Sequence, residues 1–302
     1  MLVPPARRLE LAVIGDSLTT GFCLSSIPAM IWAAHVRARC NWFADTTGRI
    51  HSVLKRVAEE GPVLGHQFST VSARVDETRK PVSERLLGTR HFSEQVADIA
   101  NLSRFPDVVL VWIGHNDLDW VQDQPAPHVT RSAILRRIVD RFIVRYKEQL
   151  NRLLSAATLW DHPAAIVVYA LVNFGRFFAA RERAEQIREQ GSHRYRRVVD
   201  GYTKFASMRS EYRDGIIELS DLINEALRRT VDATIAEARP LNVTLRYSTA
   251  LHDADISSET ALSDTDGWHP STYGHGLLAA GAYQSIEDIV QAYFLRRLTD
   301  TS

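Results

Sequence analysis

Three short, nearly unbroken apolar runs constrain this chain most: Leu9 to Ile14, Asp107 to Ile113 and Ala164 to Leu171. The strongest of them reads Val108-Val109-Leu110-Val111-Trp112-Ile113, β-branched for much of its length and without polar alternation. Such a strand is expected to be buried on both faces, as in a parallel sheet with helices above and below. The stretches between the runs have helical spacing. Thr130 opens a pattern through about Ala157 that carries Ile134, Ile138, Phe142, Leu150 and Leu153 on one side. A second pattern, Ile216 to Ala238, presents Ile217, Leu222, Ile223, Leu227 and Ile235. Strands alternating with helices predict an α/β protein with a mainly parallel sheet.

The remaining stretches complete that pattern. Ser26-Ile27-Pro28 predicts a helix from Pro28 to about Cys40, after a loop with a glycine hinge at Gly21. Thr47 is expected to cap a helix over Gly48 to Glu60, stopped by Gly61-Pro62. A short strand is expected from Val63 to Val71, and a helix around Ser93 to Asn101. Leu241 to Tyr247 reads as a late strand, His252 to Asp266 as a polar loop, and Gly276 to Leu298 as one closing helix. Between them, Arg176 to Arg213 is strongly charged. Its stretch Arg181 to Arg197 reads as a solvated helical excursion, because acidic and basic residues interleave. There is no internal repeat, low-complexity tract or linker, so residues 1–302 are expected to form a single domain with helical insertions.

Charge narrows the partners. Lys plus Arg and Asp plus Glu both number 36, so no basic field attracts nucleic acid or an anionic membrane. The segment Met1 to Arg8 lacks the apolar core of a signal peptide, and no apolar run is long enough to span a bilayer. A cytoplasmic location is the resulting expectation. Cys23 and Cys40 form neither a CxxC nor a zinc-like spacing, and Cys23 is expected to be a small buried hydrophobe. Asp253, Asp255, Asp264 and Asp266 lack the closing glutamate of a calcium loop, and no glycine-rich phosphate motif follows a strand. No metal and no cofactor are expected.

In open α/β sheets, sites form outside the carboxyl ends of the strands. Three of the expected strands run into Ser17, Ser72 and Asn116. Ser17 follows an apolar run directly. It reads either as a nucleophile or as a helix cap, and the nucleophile needs an adjacent base. Asp266 and His269, three positions apart, can supply one. The carboxylate would hold one imidazole nitrogen while the other faces the serine. The backbone N–H groups of Ser17 and Ser72 and the side-chain amide of Asn116 are candidate donors to an oxyanion. Trp268 and Trp120 read as packing residues that also have the position to touch a substrate.

Gly15-Asp16-Ser17-Leu18, Gly114-His115-Asn116-Asp117 and Asp266-Gly267-Trp268-His269-Pro270 resemble, in order, the GDSL, GxND and DxxH blocks of the SGNH, or GDSL, hydrolase family. The resemblance implies a three-layer α/β/α sandwich with a flavodoxin-like parallel sheet. It implies a metal-independent serine hydrolase of ester bonds, with Ser17 as nucleophile, His269 as base and Asp266 as its orienter. Ser17, the second-block residue and Asn116 become the oxyanion donors. Gln67 to Arg74 is similar to the second block of the phospholipase B-like branch, which points to a small-molecule or lipid-like acyl ester. Where that block usually has glycine this chain has Ser72, and a one-residue shift would make Ala73 the donor. If the position requires φ > 0, serine fits it less well than glycine. Acyl transfer, carbohydrate deacetylation and ligand binding on a non-catalytic scaffold are the other activities such a chain supports.

Overall fold

The computed structural model describes residues 8–20, 40–79, 88–119, 130–190, 210–237, 242–264 and 267–300. The helix expected from Pro28, apart from its last residue Cys40, lies outside them. So do Gly21, Cys23, Trp120, the greater part of the loop after it, residues 191–209 of the charged excursion, and Asp266.

The apolar runs form strands as the sequence predicts. β1 is Leu9–Gly15, β2 Val63–Gln67, β3 Val108–Trp112, β4 Ala164–Tyr169 and β5 Val243–Ser248. They make one parallel sheet in the order β2-β1-β3-β4-β5. β3 and β4 are buried along their whole length and β1 at all but Glu10, so both faces of the sheet's centre are covered.

Helices supply the cover. α1 is the single turn Ser17–Thr20, followed by α2 at Val53–Glu60, α3 at Phe92–Ala100 and α4 at Arg131–Thr158. α5 is Phe174–Glu189, α6 Ser210–Glu237, α7 Ala250–Asp253, α8 Thr272–Gln284 and α9 Glu287–Asp300. One group packs in series as α3, α4 and α6. A second brings α2 against α8 and α9. The result is the three-layer α/β/α architecture with the flavodoxin-like strand order. Trp42, Trp112 and Tyr169 meet edge to face in its core, with ring centres 5.9 Å apart for the two tryptophans and 6.3 Å for Trp42 and Tyr169.

Four expectations are corrected. The helix expected from Gly48 begins at Val53, capped by Ser52. Thr47 is not its cap, because its N–H and hydroxyl both donate to Asp45 and Gly48 sits at φ 74°. The strand expected to reach Val71 ends at Gln67. Pairing to β1 continues through the N–H groups of Phe68 and Thr70, and the chain then turns at Ser72. The closing helix is two helices, and the first begins at Thr272 because the Ser271 hydroxyl accepts from the Gly274 N–H. The break falls at Ser285, whose carbonyl accepts from Arg246 and whose hydroxyl meets that of Tyr169 at 2.8 Å. Finally, the solvated stretch expected from Arg181 begins on a buried residue and continues a helix packed on the body: Arg181 and Ala184 are buried, while Glu182, Arg183, Glu189 and Gln190 are exposed as expected. Phe174, Phe177, Phe178 and Ala180, before it on the same helix, are buried too.

Candidate active site

β1 and β3 are neighbours, and Gly15 pairs with Trp112 at their carboxyl ends. The strand order reverses at this pair, with β2 on one side of β1 and β3 on the other. Ligands bind outside the strand ends at such a switch point. Ser17 leaves β1 at this edge, and Asn116 leaves β3 beside it. The segment after β2, which carries Ser72, reaches the same edge by following β1 as far as Gly15.

Gly15 is required by space. A Cβ there would come within 2.2 Å of the Thr19 hydroxyl oxygen. The α1 turn folds straight back on the strand end, with the N–H groups of Thr19 and Thr20 both donating to the Asp16 carbonyl. Ser17 sits at the head of that turn and is 9 % exposed. Gln95, fully buried on α3, holds the strand end from the side. Its amide accepts from the Gly15 N–H at 3.0 Å and donates to the Gly15 carbonyl at 2.9 Å.

The Asp16 carboxylate ties the first block to the third. One oxygen accepts from the Leu18 N–H at 3.0 Å. The other accepts from the His115 backbone N–H at 3.3 Å and lies 2.8 Å from His115 Nδ1. The Val172 N–H donates to His115 Nε2 at 3.3 Å, so the neutral ring carries its proton on Nδ1 and gives it to Asp16. Both side chains are buried, and the bond spans the two turns that present Ser17 and Asn116.

A second carboxylate ties the third block to the second. Asp117 accepts from the N–H groups of Val75 and Asp76 at 2.9 Å and 2.8 Å. Burial pushes its carboxyl up to about 6, against the pull of those two bonds. Asn116 Nδ2 donates to the Ala73 carbonyl at 3.0 Å, and the Arg74 guanidinium donates to the Asn116 carbonyl. Ser72 has φ 63°, the left-handed conformation in which glycine would be unstrained. It is the one residue other than glycine with positive φ among the described residues. The Ala73 N–H donates to the Thr70 carbonyl within the turn.

His269 lies in a turn between Leu262 and Pro270, near the far end of the chain. Its carbonyl accepts from the Ser263 N–H at 2.7 Å, and the Ser263 carbonyl accepts from Gly267 at 2.7 Å. A bridge between Leu262 and Pro270 closes this narrow turn. Arg181, 2 % exposed on α5, donates to the Gly267 carbonyl at 2.9 Å. Trp268 packs edge to face on Phe177 at 4.5 Å between ring centres, with Phe174 and Phe178 at 6.3 Å and 6.4 Å. The His269 ring is buried close to that of His275. His275 has no hydrogen-bond partner on either nitrogen among the described residues. Burial and the neighbouring His269 push its pKa down to about 3, so it stays neutral.

Sequence reasoning missed Gln95, the His115 ring, Asp117 and Arg181. Gln95 carried a signal, since it is a polar residue on the apolar face formed by Phe92, Val96 and Ile99. Asp117 is read as the last residue of the GxND-like block but without a role, and the His115 ring and Arg181 carried no signal, because the partners of each lie far away in the chain. Cys40 is a free thiol, its pKa raised chiefly by burial. No group of described residues has the make-up of a metal site, and no described helix is long and apolar enough to cross a membrane.

A strand order of 2-1-3-4-5 with functional side chains at the β1/β3 edge is the architecture of the SGNH hydrolases. The family description GDSL-like lipase/acylhydrolase matches residues 11–282. The chain belongs to that family and is an ester-bond hydrolase. A search of curated proteins found no match. Among solved structures it is similar to an extracellular lipase from Streptomyces rimosus, at 13 % identity and TM-score 0.47, over 93 % of this chain and 99 % of that one. A phospholipase A1 from Streptomyces albidoflavus matches at 14 % identity and TM-score 0.49, with the same coverage of both chains. A carbohydrate esterase family 3 protein from Talaromyces cellulolyticus matches at 13 % identity and TM-score 0.47, over 94 % and 99 %. These likenesses carry no information on which ester is cleaved.

Proposed function

We propose that the chain hydrolyses carboxylic esters of small-molecule or lipid-like alcohols through Ser17, His269 and Asp266. His269 takes the proton of Ser17 as the serine oxygen attacks the acyl carbonyl. The oxyanion is received by the backbone N–H groups of Ser17 and Ser72 and by the Asn116 amide. That amide has two N–H groups, and one of them is committed to the Ala73 carbonyl. His269 passes its proton to the leaving alcohol. Water then attacks the acyl-enzyme, with His269 again as base, and restores Ser17. Asp266 would hold the imidazole in the tautomer that accepts from serine. No metal or cofactor takes part in any step.

The observation that carries this reading is the left-handed Ser72. Its position beside a buried network that ties the turns of Ser17, Asn116 and Ala73 together is what an oxyanion site requires. The experiment is hydrolysis of p-nitrophenyl esters by wild type, Ser17→Ala and His269→Ala, with labelling by a serine-reactive phosphonate. Wild type is expected to turn over and to label. Each variant is expected to lose at least about a thousandfold in kcat. Equal activity in wild type and Ser17→Ala would remove the serine from the mechanism.

A further inference from the structure

Between the turn of Ser17 and the helix that carries the turn of His269 stands a side chain that the proposed chemistry does not use. His115 follows β3, its side chain is 6 % exposed, and both ring nitrogens are bonded. Its Nδ1–H donates at 2.8 Å to Asp16, the residue before Ser17. Its Nε2 accepts at 3.3 Å from the N–H of Val172, just before α5 begins. We propose that His115 is a positioning residue: it fixes the turn of Ser17 against the start of α5, and α5 seats the turn of His269. The inference rests on the proposed hydrolysis through Ser17 and His269.

Three observations carry it. The first is chemistry. A neutral imidazole donates from one nitrogen and accepts at the other. A carboxylate on one side and an N–H on the other fit those two roles in one tautomer only, so the ring is held in both position and protonation. The second is the place of Val172. The pairing of β3 with β4 ends at Val111 and Val168. The buried Val172 N–H lies beyond that ladder and takes the ring nitrogen as its acceptor. The neighbouring Leu171 turns the other way, its N–H to Asn224 on α6 and its carbonyl to His252. The third is what α5 carries. Asn173 Oδ1 accepts from the Arg176 N–H at 3.0 Å and starts the helix. The ring of Phe174 is 6.4 Å from that of His115 and 6.3 Å from that of Trp268, the residue before His269. Further along, Arg181 holds the Gly267 carbonyl. A shift of the start of α5 is therefore a shift of the wall on which the His269 turn rests.

Three substitutions separate the two bonds. His115→Phe keeps a ring against Trp112, whose centre is 4.8 Å away, and removes both bonds. His115→Asn places an amide nitrogen where Nδ1 was, so it keeps the donor to Asp16 and leaves Val172 without an acceptor. His115→Gln places an amide oxygen where Nε2 was and does the reverse. Misplacing reacting groups by about 1 Å costs on the order of a hundredfold in rate. His115→Phe should lower kcat about thirtyfold and leave KM within about twofold, the pattern of an interaction that matters only in the transition state. Labelling of Ser17 by a serine-reactive phosphonate should slow by the same factor. His115→Asn and His115→Gln should each fall between His115→Phe and wild type, because each keeps one end of the joint.

The experiment measures kcat and KM on p-nitrophenyl acetate, and the phosphonate labelling rate, for wild type and the three His115 variants. Ser17→Ala runs alongside, and thermal melting monitors folding. A folded His115→Phe with the kcat of wild type overturns the proposal, and so does a change confined to KM. A folded His115→Asn with the kcat of wild type also overturns it, because the hold on Val172 would then have no part in positioning. If His115→Phe fails to fold, His115→Gln and His115→Asn decide: wild-type kcat in either overturns the proposal, and a loss in both with KM unchanged supports it. If Ser17→Ala keeps the activity of wild type, the proposed hydrolysis falls and the role of His115 falls with it. That result is distinct from an essential serine beside a dispensable His115.

Discussion

The two halves of the site are held by different forces. On the β1/β3 side, carboxylates and amides buried at the strand ends fix every turn. Asp16 accepts from three N–H groups, Asp117 from two, and Gln95 grips both polar groups of Gly15. On the His269 side the turn is local, and it is held against the body by an aromatic cluster and one arginine. Buried polar contacts are directional, and they cost most when one partner is removed. Aromatic packing is graded and tolerates repacking. The serine and oxyanion half is therefore expected to respond to substitution abruptly, and the histidine half by degrees.

The largest effect should come from Asp16→Ala. It strands three buried donors, and each buried donor left unmade costs about 1–3 kcal/mol. The melting temperature should fall by roughly 5–15 degrees, and kcat should drop about a hundredfold through misplacement of Ser17 against Asn116. Asp16→Asn keeps the shape and one acceptor, so it should recover part of the kcat. A loss no larger than that of a surface variant would refute the contrast. Arg181→Met comes next. Removing its charged hydrogen bond to Gly267, and with it the contact to Glu185 at 3.2 Å, should cost about 2 kcal/mol and lower kcat about tenfold, with KM little changed. A change in KM alone would mean that Arg181 does not position the His269 turn.

The Asp117 effect depends on pH. Its native pKa is raised, so the folded state binds more protons than the unfolded state between the ordinary aspartate value and about 6. Its contribution to stability is full below the ordinary value and is lost as pH rises through about 6. Urea midpoints for wild type should fall relative to those of Asp117→Asn over that window, and a parallel pair of curves would remove the assignment. The smallest effect is a gain. Ser72→Gly relieves the left-handed strain of a non-glycine residue, which should stabilise the protein by about 1 kcal/mol. Its N–H stays in place, so kcat should change less than twofold.

Much of this was legible in the sequence. The parallel sheet followed from β-branched runs too apolar to face water, and the site's edge followed from what those runs end in. Thr130 was readable as a cap because a cap is a local bond, and Ser72 because one residue type usually fills a left-handed turn. The split of the closing helix was not readable. Nothing near Ser285 breaks a helix, and the groups that seize its carbonyl and hydroxyl come from β4 and β5. The burial of Arg181 was not readable for a related reason. It opens a densely charged stretch, and the Gly267 carbonyl it donates to lies 86 residues on.

The central place of β1 also bears on synthesis. The strand that delivers Ser17 is the first made, yet its place at the centre of the sheet is complete only when both β2 and β3 exist. β3 follows it by about 100 residues, on the order of 5–20 s of translation. His269 arrives about 250 residues after Ser17, on the order of 10–50 s later. A ribosome carrying the first half of this chain thus holds Ser17, Ser72 and Asn116 without His269 or Asp266. On the proposed mechanism the hydroxyl gains its base only when the chain is almost finished, and a message truncated before residue 266 is expected to yield an inert product rather than an unselective esterase.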